Sequence, residues 1–102
     1  MRLRIVALGQ RMPAWVTDAV ADYAKRLPRE TALELVELKP AARDRGRTVA
    51  QMLAEEARAI ATACTGATVV ALDERGAAWT TQELAERLAR WREEGRDVAF
   101  VI

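Results

Sequence analysis

Two stretches of the 102-residue chain carry side chains arranged for chemistry. The first is Leu72-Asp73-Glu74-Arg75-Gly76-Ala77-Ala78-Trp79-Thr80-Thr81, which joins an apolar run to a helix start. A loop in that position can bring backbone amides and carbonyls to a ligand at the edge of a sheet. Its plainer reading is turn chemistry, with Gly76 in a special φ and Trp79 packed ahead of the helix cap. The second stretch holds Lys39, Arg43, Arg45 and Arg47 against one acid, Asp44. Arginine donates two hydrogen bonds from one planar fork, which suits phosphate. The plainer reading is a solvated charge run.

What the chain lacks narrows the chemistry further. Histidine is absent, which removes Ser-His and Cys-His nucleophile activation, His-ligated zinc and an imidazole base. Cys64 is the single cysteine, so neither an internal disulfide nor a thiolate metal cluster can form, no metal is expected, and a reducing, cytoplasmic setting is the simplest reading. No GxGxxG follows the first apolar run, and GxxxxGK[ST] is missing. Gly9-Gln10 stands where a receiver domain would need acids. Sixteen Lys+Arg against fifteen Asp+Glu give a net charge of +1, too little for non-specific coating of nucleic acid but compatible with a local basic patch. No apolar run approaches the ~20 residues that span a bilayer, so no membrane role is expected.

The elements that must position these residues are legible from periodicity. Leu3 to Leu8 reads as a strand ended by Gly9. Pro13 suits the first turn of a helix whose apolar face is Trp15, Val16, Ala19, Val20, Tyr23 and Leu27, stopped by Pro28. Leu33 to Leu38 reads as a second strand closed by Pro40, and Lys39 to Arg47 as an exposed loop. Thr48 with Gln51 matches a capping box ahead of a helix whose buried stripe is Val49, Met52, Leu53, Ala57, Ile60, Ala61 and Cys64. Thr68 to Leu72 reads as a central parallel strand. Thr80 with Glu83 matches a second capping box, Leu84, Ala85, Leu88 and Trp91 follow at helical spacing, and Gly95 stops that helix. Val98 to Ile102 begins a fourth strand. This alternation predicts a single α/β domain over residues 1–102, with right-handed crossovers and a mostly parallel sheet. Trp15, Trp79 and Trp91 are expected to pack in or beside the core rather than to stack on bases, and Cys64 is expected to be inert.

An ordered set of motifs runs the length of the chain. It comprises Leu-x-x-Val-Ala-Leu-Gly with Met12-Pro13-x-Trp15, Tyr23-x-x-Arg26-Leu27-Pro28, Leu72-Asp73-x-x-Gly76-x-x-Trp79-Thr80-Thr81, and Gly95-Arg96-Asp97-Val98-x-Phe100-Val101-Ile102. Together they resemble the RlmH family, SPOUT-class methyltransferases that modify N3 of a pseudouridine in 23S rRNA. The resemblance implies a Rossmann-like α/β fold with a C-terminal knot, a homodimer, S-adenosylmethionine (SAM) as methyl donor, and 23S rRNA in assembled ribosomes as substrate. It carries over Leu72 alone as a SAM-contacting residue, with its neighbours Asp73 and Gly76 as weaker candidates. The rRNA role of Lys39, Arg43, Arg45 and Arg47 rests instead on their own charge and on the fit of arginine to phosphate.

The family continues past a strand like Val98 to Ile102 with a Gly-Gly-Pro-x-Gly loop, a further strand and helix, and a Tyr-Arg pair. None of these follows Phe100-Val101-Ile102. The chain is therefore expected to be the N-terminal part of such an enzyme and inactive alone. It should bind SAM at millimolar affinity or weaker and associate through uncovered apolar surface. No residue in it is assigned catalysis. Methyl transfer needs mainly positioning of donor against nitrogen, and Asp73 reads as a turn residue rather than a base. The competing readings are a non-catalytic ribosome-binding or dimerisation module, and an unrelated flavodoxin-like interaction domain.

Overall fold

A computed structural model describes residues 1–9, 12–44 and 46–102. The described elements alternate strictly. They are β1 (Arg2–Leu8), α1 (Ala14–Lys25), β2 (Ala32–Leu38), α2 (Val49–Ala63), β3 (Ala67–Ala71), α3 (Thr81–Glu93) and β4 (Asp97–Val101). The four strands form one sheet in the order β2-β1-β4-β3, and every pairing is parallel. The expected α/β class and parallel sheet are both found.

Strand order dictates where the helices lie. The steps from β1 to β2 and from β3 to β4 move across the sheet in one direction, and the step from β2 to β3 runs back the other way. Right-handed crossovers then put α1 and α3 on one face and α2 on the other. On the α2 face, Val6 and Ala99 are fully buried with Cys64, and Val36, Leu38, Ile60 and Ala63 pack around them. Arg4 points to the same face. Its guanidinium donates to the carbonyls of Ala63 (3.1 Å) and Thr65 (2.9 Å), where α2 leaves its last carbonyls without helical partners.

The helix ends follow their sequence signals in most places. At Thr48 the capping box is complete, with the side chain accepting from the Gln51 N–H (3.1 Å) and Gln51 accepting from the Thr48 N–H (2.9 Å). At Thr80 only its first half forms, the hydroxyl accepting from the Glu83 N–H at 3.1 Å. Pro13 is the cap residue of α1 rather than part of its first turn. Gly66 and Gly95 close α2 and α3 at φ +77° and +69°, the left-handed region that glycine enters without steric cost.

Three expectations need correction. β3 is an edge strand, not a central one, and Val69 on it is exposed. Trp15 (73% exposed) and Tyr23 (61%) stand away from the core, although Val16, Ala19 and Val20 are half-buried as expected. Val49, Leu53, Ala57 and Ala61 of the expected α2 stripe are exposed too, leaving Met52, Ile60 and Cys64 as its covered part. On the α2 face the cause is coverage: α2 packs chiefly on β1 and β2, so one helix serves a face four strands wide and leaves Val69, Val49 and Leu53 open. The accessible surface is 7799 Å², against about 5,700 Å² for a folded monomer of this mass. The radius of gyration is 15.4 Å, against about 13 Å for a close-packed chain of this length.

Candidate functional site

In a parallel sheet every strand ends on the same edge, so the segments that follow β2 and β3 leave from one side of the sheet. The loop after β3 is the better defined of the two. The Leu72 N–H donates to the Val101 carbonyl at 2.8 Å, continuing the ladder one residue past β3. The chain then turns at once. The Asp73 carboxylate accepts the Arg75 N–H (2.9 Å), and the Asp73 carbonyl accepts the Gly76 N–H (2.9 Å). Asp73 is thus a turn residue, as its place at a strand end implies. Gly76 has no positive φ. What the position requires is small size, since a Cβ there would lie 3.1 Å from the Asp73 carbonyl oxygen.

The turn folds over a cavity of about 420 Å³ at the carboxyl ends of β3 and β4. Leu72, Asp73 and Gly76 all line it, so all three candidate cofactor residues come together. Trp79, Thr80, Thr81 and Leu84 form the wall toward α3, and Val70 and Phe100 form the floor. Val70 and Phe100 are register partners on adjacent strands, which sets them side by side. Sequence reasoning passed over these residues as pocket walls. The available signal was that Trp79-Thr80-Thr81 belongs to the same motif as Leu72. The cavity is mostly apolar with a few polar groups at its rim, the usual make-up of a small-molecule site of this size. Leu72 is 58% exposed, an apolar side chain open to a ligand.

The basic stretch lies on the same sheet edge, after β2. It is less uniform than its composition implies. Arg47 is committed within the protein: it donates to Glu55 at 2.6 Å and to the Ala42 carbonyl at 3.2 Å. Lys39 and Arg43 are exposed, and among the described residues neither forms an ion pair. Arg45 lies outside the described residues. Three strand steps of about 4.8 Å separate β2 from β3, so the basic loop and the cavity are neighbours on one edge without sharing a wall. Among the described residues no cluster of metal-ligating side chains occurs, and no helix is long and apolar enough to cross a membrane.

Comparison with known proteins bears on this architecture. The family described as "Predicted SPOUT methyltransferase" matches residues 1–102. Proteins named "Ribosomal RNA large subunit methyltransferase H" align with all of this chain: 54% identical in Bordetella petrii, 55% in Bordetella avium and 48% in Burkholderia multivorans. The chain spans 66% of each relative's length, just under two thirds. With the whole described fold inside the matched region, the chain belongs to the SPOUT methyltransferase family.

Proposed function

We propose that this chain forms the cofactor-binding α/β part of a methyltransferase that modifies N3 of a pseudouridine in 23S rRNA, with SAM as donor. The observation that carries the reading is the cavity at the ends of β3 and β4, lined by Leu72, Asp73, Gly76 and Trp79, in a chain matched over its full length by a methyltransferase family. SAM, when bound, supplies a sulfonium-activated methyl group. The residues present fit such a ligand. Leu72, Leu84, Phe100 and Trp79 offer apolar contact for a nucleoside, and Thr80 and Thr81 offer hydroxyls at the rim. The 73–76 turn brings the backbone close to the ligand, and the small Gly76 keeps that turn tight. No side chain here is assigned proton transfer; what these residues do is bind, orient and exclude water.

Lys39 and Arg43, and Arg45 in the same stretch, are proposed to contact rRNA phosphates beside the cavity. With a net charge of only +1, these 102 residues add little general attraction for naked RNA at physiological salt, and the substrate is proposed to be rRNA in assembled ribosomes, in the cytoplasm. A homodimer is proposed as the working form. Each chain exposes about 2,000 Å² beyond a close-packed monomer, about 4,000 Å² over two copies, which is within the range that obligate homodimers bury.

The test is a methyl-transfer assay with labelled SAM, using a protein of the relatives' full length. Labelling of 23S rRNA in assembled particles, and not of protein-free rRNA, is the expected result. Ribosome binding without any methyl transfer would instead support a non-catalytic module. The 102-residue chain itself should show a SAM dissociation constant in the millimolar range or weaker by calorimetry.

A further inference from the structure

Trp79 lines the cavity, yet little in the core fixes its ring. The indole is only half-buried, and among the described residues its N–H has no hydrogen-bond partner. It immediately precedes the cap Thr80, and Leu84, four residues beyond that cap, lines the same cavity. That is the spacing of a hydrophobic staple, which holds an entering chain from one side. A second restraint comes from Arg87, one helical turn past Leu84 on the same side of α3. Its guanidinium carbon sits 4.1 Å from the centroid of the Trp79 ring, although Arg87 does not line the cavity. Among the described residues Arg87 forms no ion pair, so its charge is not spent elsewhere. The other cation–ring contact differs in both respects. Arg26 lies 5.0 Å from the Tyr23 ring and is bridged to Asp22 at 2.8 Å.

We propose that Arg87 is a positioning residue for the cofactor cavity: stacked on Trp79, it holds the indole as a fixed wall against which the nucleoside part of the methyl donor packs. This rests on the reading that the cavity takes SAM. The chemistry also states which part of the ligand Trp79 meets. An aromatic ring attracts a cation through its electron-rich face. With Arg87 already on it, the ring is a poorer partner for the sulfonium and a better one for a neutral, flat group. Loss of Arg87 should therefore weaken SAM and S-adenosylhomocysteine, which lacks the sulfonium charge, by the same factor.

The experiment is NMR titration, with each compound, of a protein of the relatives' full length that carries this chain's residues 1–102. It follows the Trp79 indole N–H signal, assigned by Trp79→Phe. Arg87→Ala should raise both dissociation constants about threefold to fivefold, while Arg87→Lys, which keeps the cation, should recover much of the affinity. The Arg87 Hε resonance should lie upfield in the parent, shifted by the ring current, which checks the stack itself; the equal loss of affinity for the two compounds is the readout that a role in stability alone would not produce. Thermal unfolding of both variants should stay within a few degrees of the parent, because Arg87 is exposed and such a contact contributes only a small part of the total stability. If the parent binds and Arg87→Ala binds equally well, the positioning role is wrong and the cavity reading stands. If neither compound moves any cavity signal in the parent, the cavity reading fails and takes this role with it. A weakening for SAM alone would place the sulfonium, not the nucleoside, on Trp79 and overturn the assignment.

Discussion

The two glycines that matter most here constrain the chain for opposite reasons, and substitution separates them. At Gly76 the backbone conformation is ordinary but space is short, with an added Cβ 3.1 Å from the Asp73 carbonyl. Gly76→Ala should open the 73–76 turn and weaken SAM binding by more than its small effect on stability, under about 1 kcal/mol, explains. At Gly66 space is open but φ is +77°. Gly66→Ala should lower unfolding free energy by about 1 kcal/mol in urea titration and leave ligand affinity alone. Leu72→Ala should behave like neither. Its side chain is 58% exposed, so stability should stay within about 0.5 kcal/mol, while SAM affinity falls roughly tenfold because the apolar surface that meets the ligand is gone. That Leu72, Asp73 and Gly76 line one cavity was legible because they fall together in one motif. Trp79 and Leu84 were legible only as helix-start residues, and Phe100 only as part of a strand. Their convergence on one cavity depends on the register of β3 with β4, which no local pattern encodes.

Elements were more readable than their surroundings. All four strands and three helices fall within a residue or two of the positions that periodicity predicts, because Pro28, Pro40, Gly66 and Gly95 punctuate them and Thr48 and Thr80 start two helices. Periodicity reports which side of a helix is apolar, not whether anything covers it, and this is why Trp15, Tyr23, Val49 and Leu53 read as buried from sequence but stand exposed. Likewise a strand such as β3, apolar but for Thr68, looks central even at an edge. The two threonine caps allow a paired test. Thr48→Ala should cost about 1 kcal/mol of stability and nothing in ligand binding; Thr80→Ala should cost a similar amount and also weaken SAM, because Thr80 lines the cavity. The basic loop divides in the same way. Replacing Lys39 and Arg43 with alanine should lower the salt dependence of ribosome binding by about one unit for each phosphate that is no longer neutralised. Arg47→Ala should leave that slope nearly unchanged and cost at most about 1 kcal/mol of stability, since Arg47 is already held by Glu55.

For the molecule as a whole, the uncovered surface has a direct physical consequence. Val69 on the edge strand β3, Leu53 and Val49 on α2, and Trp15 and Tyr23 on α1 place apolar side chains in water. Edges and patches of this kind recruit other chains. Light scattering on the 102-residue chain should show dimers or larger species, and Val69→Lys should shift them toward monomer. A stable parent monomer at high concentration would show that this surface does not drive association. The strand order carries a different consequence, one of timing. β1 leaves the ribosome first, yet it lies inside the sheet and finds its second neighbour only in β4. The Arg2 N–H waits for an Asp97 carboxylate 95 residues later. β1, α1 and β2 can come together early through short connections, but β3 has no strand to pair with until β4 slots between it and β1. Closing so long a loop is slow. Until Val98 and Ala99, both wholly buried at the end, have cleared the exit tunnel, one side of β1 stays open to any passing strand. Synthesis of this stretch therefore has a vulnerable interval lasting nearly its whole length, closed only when β4 emerges.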